Sequence, residues 1–388
     1  MQTGAEIRPY RPDIDGLRSV AILAVLLAHG GFSPFAGGDT ALGAFFVASG
    51  YLLTQALVRS RGRVSIVEFY DRRARRMLPT LIAATAATLG AGAVLMSASE
   101  VSGLARAALA SMALVSNVAS LGDPGAGPLL HTWSLSMAGQ IFLLMPLVVA
   151  LFARVGRRAV VPLVAVATVV SFGLGVADAP ATGAVHVHHR VWQFGVGALV
   201  ALVPFAPPRR KLAGILAGLG MVAVVVPVFA SDPEVSRSGL GALPTVLGSA
   251  LVIWANRRQT AASSLLGAPP VVFLGVISYS LYVWHWPLLV FARRLWGDLD
   301  PIGTLGWLAA TVLVATLSWY FVEQPLRYPT GPIRSRLAML AASLAGVASI
   351  AALAAVVAAD GIVAVRPGVS IAYAGEGPHA CPAACESR

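Results

Sequence analysis

The chain has 388 residues, 57% of them hydrophobic and only 12% charged, with a mean hydropathy of +0.77. A soluble domain carries about twice that charged fraction, so the composition excludes a water-soluble globular protein and points to a chain crossing a membrane repeatedly. The net charge of +11 would suit a nucleic-acid binder, but the arginines lie between apolar runs, where membrane orientation accounts for them.

The first apolar run, 17–33, begins like a secretory leader, yet apolar spans keep coming after it, so it is not read as a cleaved signal. Further runs of near-spanning length lie at 41–57, 78–97, 134–153, 159–177, 190–206, 212–230, 240–256, 271–291, 303–322 and 336–359. Runs this long predict helices, and the expected fold is an all-α, polytopic integral membrane protein. The stretch 103–120 is the exception, because it contains Arg106, Ser111, Ser116 and Asn117. If it does not cross, and the N-terminus is cytoplasmic, 21 of the 28 basic residues face inward. If it crosses once, every later loop inverts and the following basic clusters face outward, against the positive-inside bias. The expectation is therefore about 11 transmembrane helices, N-terminus cytoplasmic and C-terminus extracytoplasmic, with 103–120 a re-entrant or interfacial helix. Residues 1–360 form the membrane domain, and 361–388 an extracytoplasmic tail or truncated linker. One lysine against 27 arginines, with abundant alanine and glycine, suggests a GC-rich bacterial genome and hence the bacterial cytoplasmic membrane.

Within the first run, Arg18 and His29 are eleven residues apart, three helical turns plus about 20°, so they share a face about 16 Å apart along the axis. They are either a snorkelling arginine with a headgroup-reaching histidine, or a functional pair. The loop "FYDRRARRMLP" (69–79) places Arg72, Arg75 and Arg76 on one helical face with Arg73 beside them. Four guanidinium groups there suit either anionic lipid or the phosphates of a cytoplasmic ligand. His285, in the ninth run, is a second acid/base or a packed histidine, and Glu323 a structural partner for an inner arginine. "HVHHR" (186–190) lacks a carboxylate or thiolate partner, and no metal site is expected.

"RPDIDGLRSVAILAVLLAH", "FFVASGYLLT" (45–54), the arginine loop, "WSLSMAGQIFLLMP" (133–146), "RVWQFGVGALVAL" (190–202), "SYSLYVWHWPLL" (278–289) and "FVEQPLR" (321–327) resemble, in order, the integral-membrane acyltransferase family 3. These are bacterial O-acetylases of envelope glycans, and the likeness runs over about residues 8–330. It implies transfer of an acyl group, commonly acetyl, from cytoplasmic acyl-CoA (expected to be acetyl-CoA) to a hydroxyl of an envelope glycan or lipid-linked saccharide. On that implication Arg18, Arg72, Arg73, Arg75 and Arg76 hold the nucleotide phosphates, and His29 is the general base with His285 as second catalytic residue. Trp133, Gln140, Arg190 and Trp192 would contact substrate. Tyr282, Ser49 and Asn117 are weak candidates for the oxyanion donor. Membrane lipid is the remaining partner, and neither nucleic acid nor a metal is expected.

Two departures stand out. Ala138, Gly139 and Gln193 occupy positions where many members of the resembled family carry glutamates, so a glutamate to orient His29 is absent at these positions. Some relatives append an extracytoplasmic hydrolase-like domain, whereas the tail "GEGPHACPAACESR" reads as the start of a linker to such a partner. A Cys381–Cys385 disulfide would close a strained five-residue loop. The competing readings are a transporter or flippase-like carrier and a non-catalytic membrane module serving a missing domain.

Overall fold

The structure, a computed structural model, describes residues 10–59, 65–119, 124–182, 186–203, 205–230, 239–327 and 331–358. Among the described residues every regular element is helical and there is no strand. The tail 361–388, with Cys381 and Cys385, lies outside them. Six helices among the described residues are long and apolar enough to cross a membrane: Gly38–Val58, Ile66–Leu95, Arg158–Ala177, Arg210–Ala230, Pro301–Arg327 and Arg336–Val357. Pro269–Val276 and Ser278–Trp296, broken at Ile277, make a seventh if they form one span. The class is thus a helical, multi-pass membrane protein. The difference from eleven has physical causes. The first helix carries Asp13, Asp15 and Arg18 near its start, while Val191–Leu202 has only 12 residues and Leu243–Ala255 only 13.

The chain divides into two compact units. The first comprises 1–59, 157–169 and 192–278. Its helix α1, Pro12–His29, begins on a proline that fits the first turn, with Asp13 and Asp15 at the positive end of the helix dipole. The polar start is tolerated because the helix is enclosed, with Leu17, Ala21, Ile22 and Val25 fully buried. Arg11 clamps this entry, donating to both Asp13 oxygens at 2.7 and 2.6 Å and to the Ile253 carbonyl at 3.1 Å. Burial works against its charge, but the Asp13 carboxylate outweighs that and holds its pKa above the usual arginine value. Helix α2 (Leu42–Arg59) crosses α7 (Val191–Leu202) in direct backbone contact. A Cβ on Gly50 would lie 2.0 Å from the Phe194 carbonyl oxygen, and one on Gly197 2.0 Å from that of Val47.

The second unit comprises 60–156, 170–191 and 279–388. Helix α3, Ile66–Leu95, starts where Ser65 accepts from the Glu68 amide, and α4, Ala98–Met112, starts with a Ser97/Glu100 capping box. Glu100 also accepts from Arg294 at 2.7 and 3.0 Å. Burial pushes the Glu100 carboxyl up, but Arg294 and Ser97 outweigh it and hold its pKa at about 2. The stabilisation it adds is therefore present above the ordinary carboxylate range and lost only as pH falls toward about 2.

The polar residues of 103–120 now have partners. Ser111 Oγ lies 2.7 Å from Thr132 Oγ1, Thr132 Oγ1 is 3.0 Å from Ser116 Oγ, and Ser116 Oγ is 2.7 Å from Ser136 Oγ. These hydroxyls, with the apolar side chains of Val101, Leu104 and Ala108 packed near Leu129, pin α4 to the start of α6 (Trp133–Thr182). Helix α6 breaks at Gly156, whose φ of +71° favours glycine, dividing it where the sequence predicts two runs.

Candidate active site

The first unit holds Arg18 and His29 on one uninterrupted helix, as their spacing predicts. Arg18 donates to Asp15 Oδ1 at 2.9 Å and to Ser278 Oγ at 2.7 Å, and its guanidinium lies 6.0 Å from the Phe45 ring centre. At the other end of α1, His29 Nε2 sits 3.1 Å from Asp39 Oδ1. A carboxylate oxygen can only accept, so Nε2 carries the proton and the neutral ring has its lone pair on Nδ1. Asp39 lies in the short 3-10 turn Gly38–Ala41 that leads into α2. Sequence reasoning missed this residue. Its one signal is that it is the first acidic residue after His29. Trp192 is buried in this unit, next to Gln193 on α7.

The second unit holds the four loop arginines, and their surroundings differ sharply. Arg72 is exposed and pairs with Glu68, one helical turn back. Arg73 stacks over Phe142, its guanidinium 4.6 Å from the ring centre. Arg76 also lies on α3. Arg75 is 0% exposed: its Nε donates to Asp71 at 2.9 Å, and its terminal nitrogens to the carbonyls of Leu326, Ile333 and Ser335. Its donors already serve the fold, so the shared helical face does not translate into a shared phosphate site for Arg75.

The remaining expected residues also fall in this unit. Arg190 lies with its guanidinium 5.9 Å from the Trp133 ring centre. Gln140 donates to the Leu114 carbonyl at 2.7 Å and to Asn117 Oδ1 at 2.9 Å, which holds the segment after α4 in place. His285, on Ser278–Trp296, bonds through Nδ1 to the Tyr282 carbonyl at 2.6 Å. Its ring centre is 5.4 Å from that of His131, which bonds through Nε2 to the Val283 carbonyl at 3.1 Å. Each imidazole thus donates one N–H to a main-chain carbonyl and keeps its lone pair on the other nitrogen when neutral. Tyr282 donates to the His131 carbonyl at 3.0 Å and accepts from Ser134 at 2.8 Å, an arrangement that ties the cluster together. His131 was legible only as the residue two before Trp133 in "HTWSLS". Glu323 faces Arg327 at 3.6 Å and accepts from Ser280 at 3.3 Å, a structural role. Among the described residues, no group of three or more His, Cys, Asp or Glu side chains is placed to hold a metal ion.

Compared with known families, residues 11–323 match the model described as "Acyltransferase domain". The O-acetyltransferase OatA of Staphylococcus aureus (strain NCTC 8325 / PS 47) is 27% identical over 351 residues, covering 82% of this chain and 57% of its own. The peptidoglycan O-acetyltransferase OatA of Listeria monocytogenes serovar 1/2a is 27% identical over 356 residues, covering 82% of this chain and 56% of its own. A putative O-acetyltransferase SAS0844 of Staphylococcus aureus (strain MSSA476) is 25% identical over 351 residues, with 82% and 57% covered. The chain therefore spans little more than half the length of these relatives. No solved structure matches it.

Proposed function

Because the chain belongs to acyltransferase family 3, whose model matches residues 11–323, we propose that it transfers an acetyl group from cytoplasmic acetyl-CoA to a hydroxyl of an envelope glycan, in the bacterial cytoplasmic membrane. The observation that carries this reading is the His29–Asp39 contact at 3.1 Å, at the opposite end of α1 from Arg18. An imidazole oriented by a carboxylate is a general base for a hydroxyl. Asp39 supplies the orienting carboxylate that Ala138, Gly139 and Gln193 do not.

In the proposed reaction the donor supplies a thioester carbonyl. His29 takes the acceptor hydroxyl's proton on Nδ1, while Asp39 steadies the Nε2 proton and the positive charge that develops. The hydroxyl oxygen forms the new ester bond as the carbon–sulfur bond breaks. The proton then passes from the imidazolium to the departing thiolate, so that His29 is regenerated. Arg72 offers an accessible guanidinium fork for phosphate, its side chain 54% exposed. Arg73 and Arg76 adjoin it on α3, and Arg18, already oriented by Asp15 and Ser278, is proposed separately as a phosphate contact of the first unit. Trp133, Arg190 and Trp192 are proposed acceptor contacts, Gln140 supporting them through the 114–117 backbone. His285 with His131 is a second proton-handling pair.

The proposed topology has eleven crossings with the N-terminus inside, supported by the 21 basic residues placed inward against seven outward. A cysteine replacing Asp298 should react with membrane-impermeant thiol reagents in whole cells, and one replacing Ser335 only with permeant ones. The opposite labelling would overturn the orientation.

The shared face of Arg18 and His29 has its own test. One alanine inserted beside Val25 rotates His29 by about 100° relative to Arg18. Transfer should be abolished while the protein still inserts and labels as above. An insertion variant acetylating at the normal rate would make the shared face coincidental.

A further inference from the structure

Three helices of the first unit bring together polar groups that have no hydrogen-bond partner among the described residues. Gln193 on α7 is 0% exposed, and neither its amide nitrogen nor its amide oxygen has a hydrogen-bond partner. Thr245 and Ser249, one turn apart on the helix Leu243–Ala255, are equally buried, and their hydroxyls are likewise unpartnered. The groups converge on α2: a Cβ built on Gly43 would lie 3.6 Å from Gln193 Oε1 and 3.9 Å from Thr245 Cγ2.

Buried hydroxyls without a partner also occur among the described residues at Thr80, Thr85, Thr311, Ser318 and Ser343; here two lie one turn apart, with an unpartnered amide beside the same glycine. A helical serine or threonine commonly returns its hydroxyl to the carbonyl one turn back, as Thr88, Thr168, Thr316 and Ser349 do here. Thr245 and Ser249 do not. Gln140, the comparable amide of the second unit, has both of its donor hydrogens placed. A buried amide left without partners destabilises a fold, and retention of such a group calls for a reason other than packing.

The position supplies one. Gly43, Gln193 and Thr245 all fall in the first turn of their helices, and Gly43 follows Asp39 by a single turn. The cluster therefore lies at the His29 end of the unit. Its three side chains are uncharged and offer donors and acceptors side by side, which matches hydroxyl and amide groups and offers nothing to neutralise a charge. We infer that Gln193, Thr245 and Ser249 form an acceptor-binding subsite for a neutral sugar bearing hydroxyl and amide groups. The inference rests on the acyltransferase reading above.

The test uses the whole chain in lipid nanodiscs, with chitotetraose as the neutral probe and its fully de-N-acetylated, cationic tetramer as the comparison. Chitotetraose should raise the thermal unfolding midpoint of the wild type, and the cationic tetramer should not. Gln193→Leu should raise the midpoint without sugar by a few degrees, because the unpaired amide is gone, and should lose the chitotetraose shift. Thr245→Val, which keeps the side chain's shape, should shrink that shift. The subsite is overturned if the wild type shows no chitotetraose shift, if Gln193→Leu keeps it, or if Gln193→Leu lowers the midpoint. His29→Ala separates the two claims: it should keep the sugar shift and lose transfer. If it keeps transfer, the base assignment fails while the sugar data still decide the subsite.

Discussion

His29→Ala should reduce acetyl transfer by about 10²–10⁴-fold, the contribution typical of a general base, with donor binding unchanged. Arg18→Ala should fail in the opposite way, weakening donor binding more than turnover, because it removes a charge-assisted contact to phosphate. Asp39→Asn keeps the size of the residue but not its charge. It should lie between these two in transfer rate, since it removes the charge that orients the imidazole and stabilises the imidazolium. Steady-state kinetics with donor titration separate the three. Equal loss of donor affinity in His29→Ala and Arg18→Ala would mean that the two residues act together in binding, and His29 would lose its role as base.

Arg75→Ala should be the most destabilising single change in the arginine loop, by about 3–5 kcal/mol, because it strands a buried carboxylate and three main-chain carbonyls. Asp71 is nearly buried beside Arg75, and the Leu326, Ile333 and Ser335 carbonyls belong to the segment that leads into the final described helix, Arg336–Ala358. Lysine at this position carries a charge but not the fork, and it should recover only part of the loss. Arg72→Lys, by contrast, should leave the unfolding midpoint alone and weaken donor binding. Unfolding in detergent and a donor-binding isotherm for each variant check the division. An Arg75→Ala protein of normal stability with lost donor binding would return Arg75 to the phosphate ligands.

That division shows where legibility in the sequence ends. The arginine run announces positive charge at a membrane face, and its i, i+3, i+4 spacing is real. Which guanidinium is enclosed depends on carbonyls about 250 residues away, which no local pattern encodes. The same limit separates the eleven expected spans from the six described helices that are long and apolar enough to cross. Hydropathy finds the long apolar helices well, but α1 keeps three charges near its start because neighbouring helices enclose it. The break at Ile277 inside an apolar run leaves no mark on hydropathy. At the proposed active site the Arg18–His29 spacing was readable because both lie on one regular helix. Asp39 was not, since it reaches His29 through a glycine-rich turn whose path has no periodicity. The polar residues of 103–120 have hydroxyls satisfied inside the protein, by Thr132 and Ser136, which the sequence alone does not pair.

The central claim is that this chain makes an ester at the expense of a thioester, with His29 as the base. Its most direct measurement places the purified protein in nanodiscs with acetyl-CoA and chitotetraose, and follows free thiol and acetylated sugar together by mass spectrometry. The account predicts equal amounts of free CoA and O-acetyl ester, both abolished by His29→Ala. Neither free CoA nor ester from the wild-type protein would contradict it, and ester formation undiminished in the His29→Ala protein would contradict the assignment of the base.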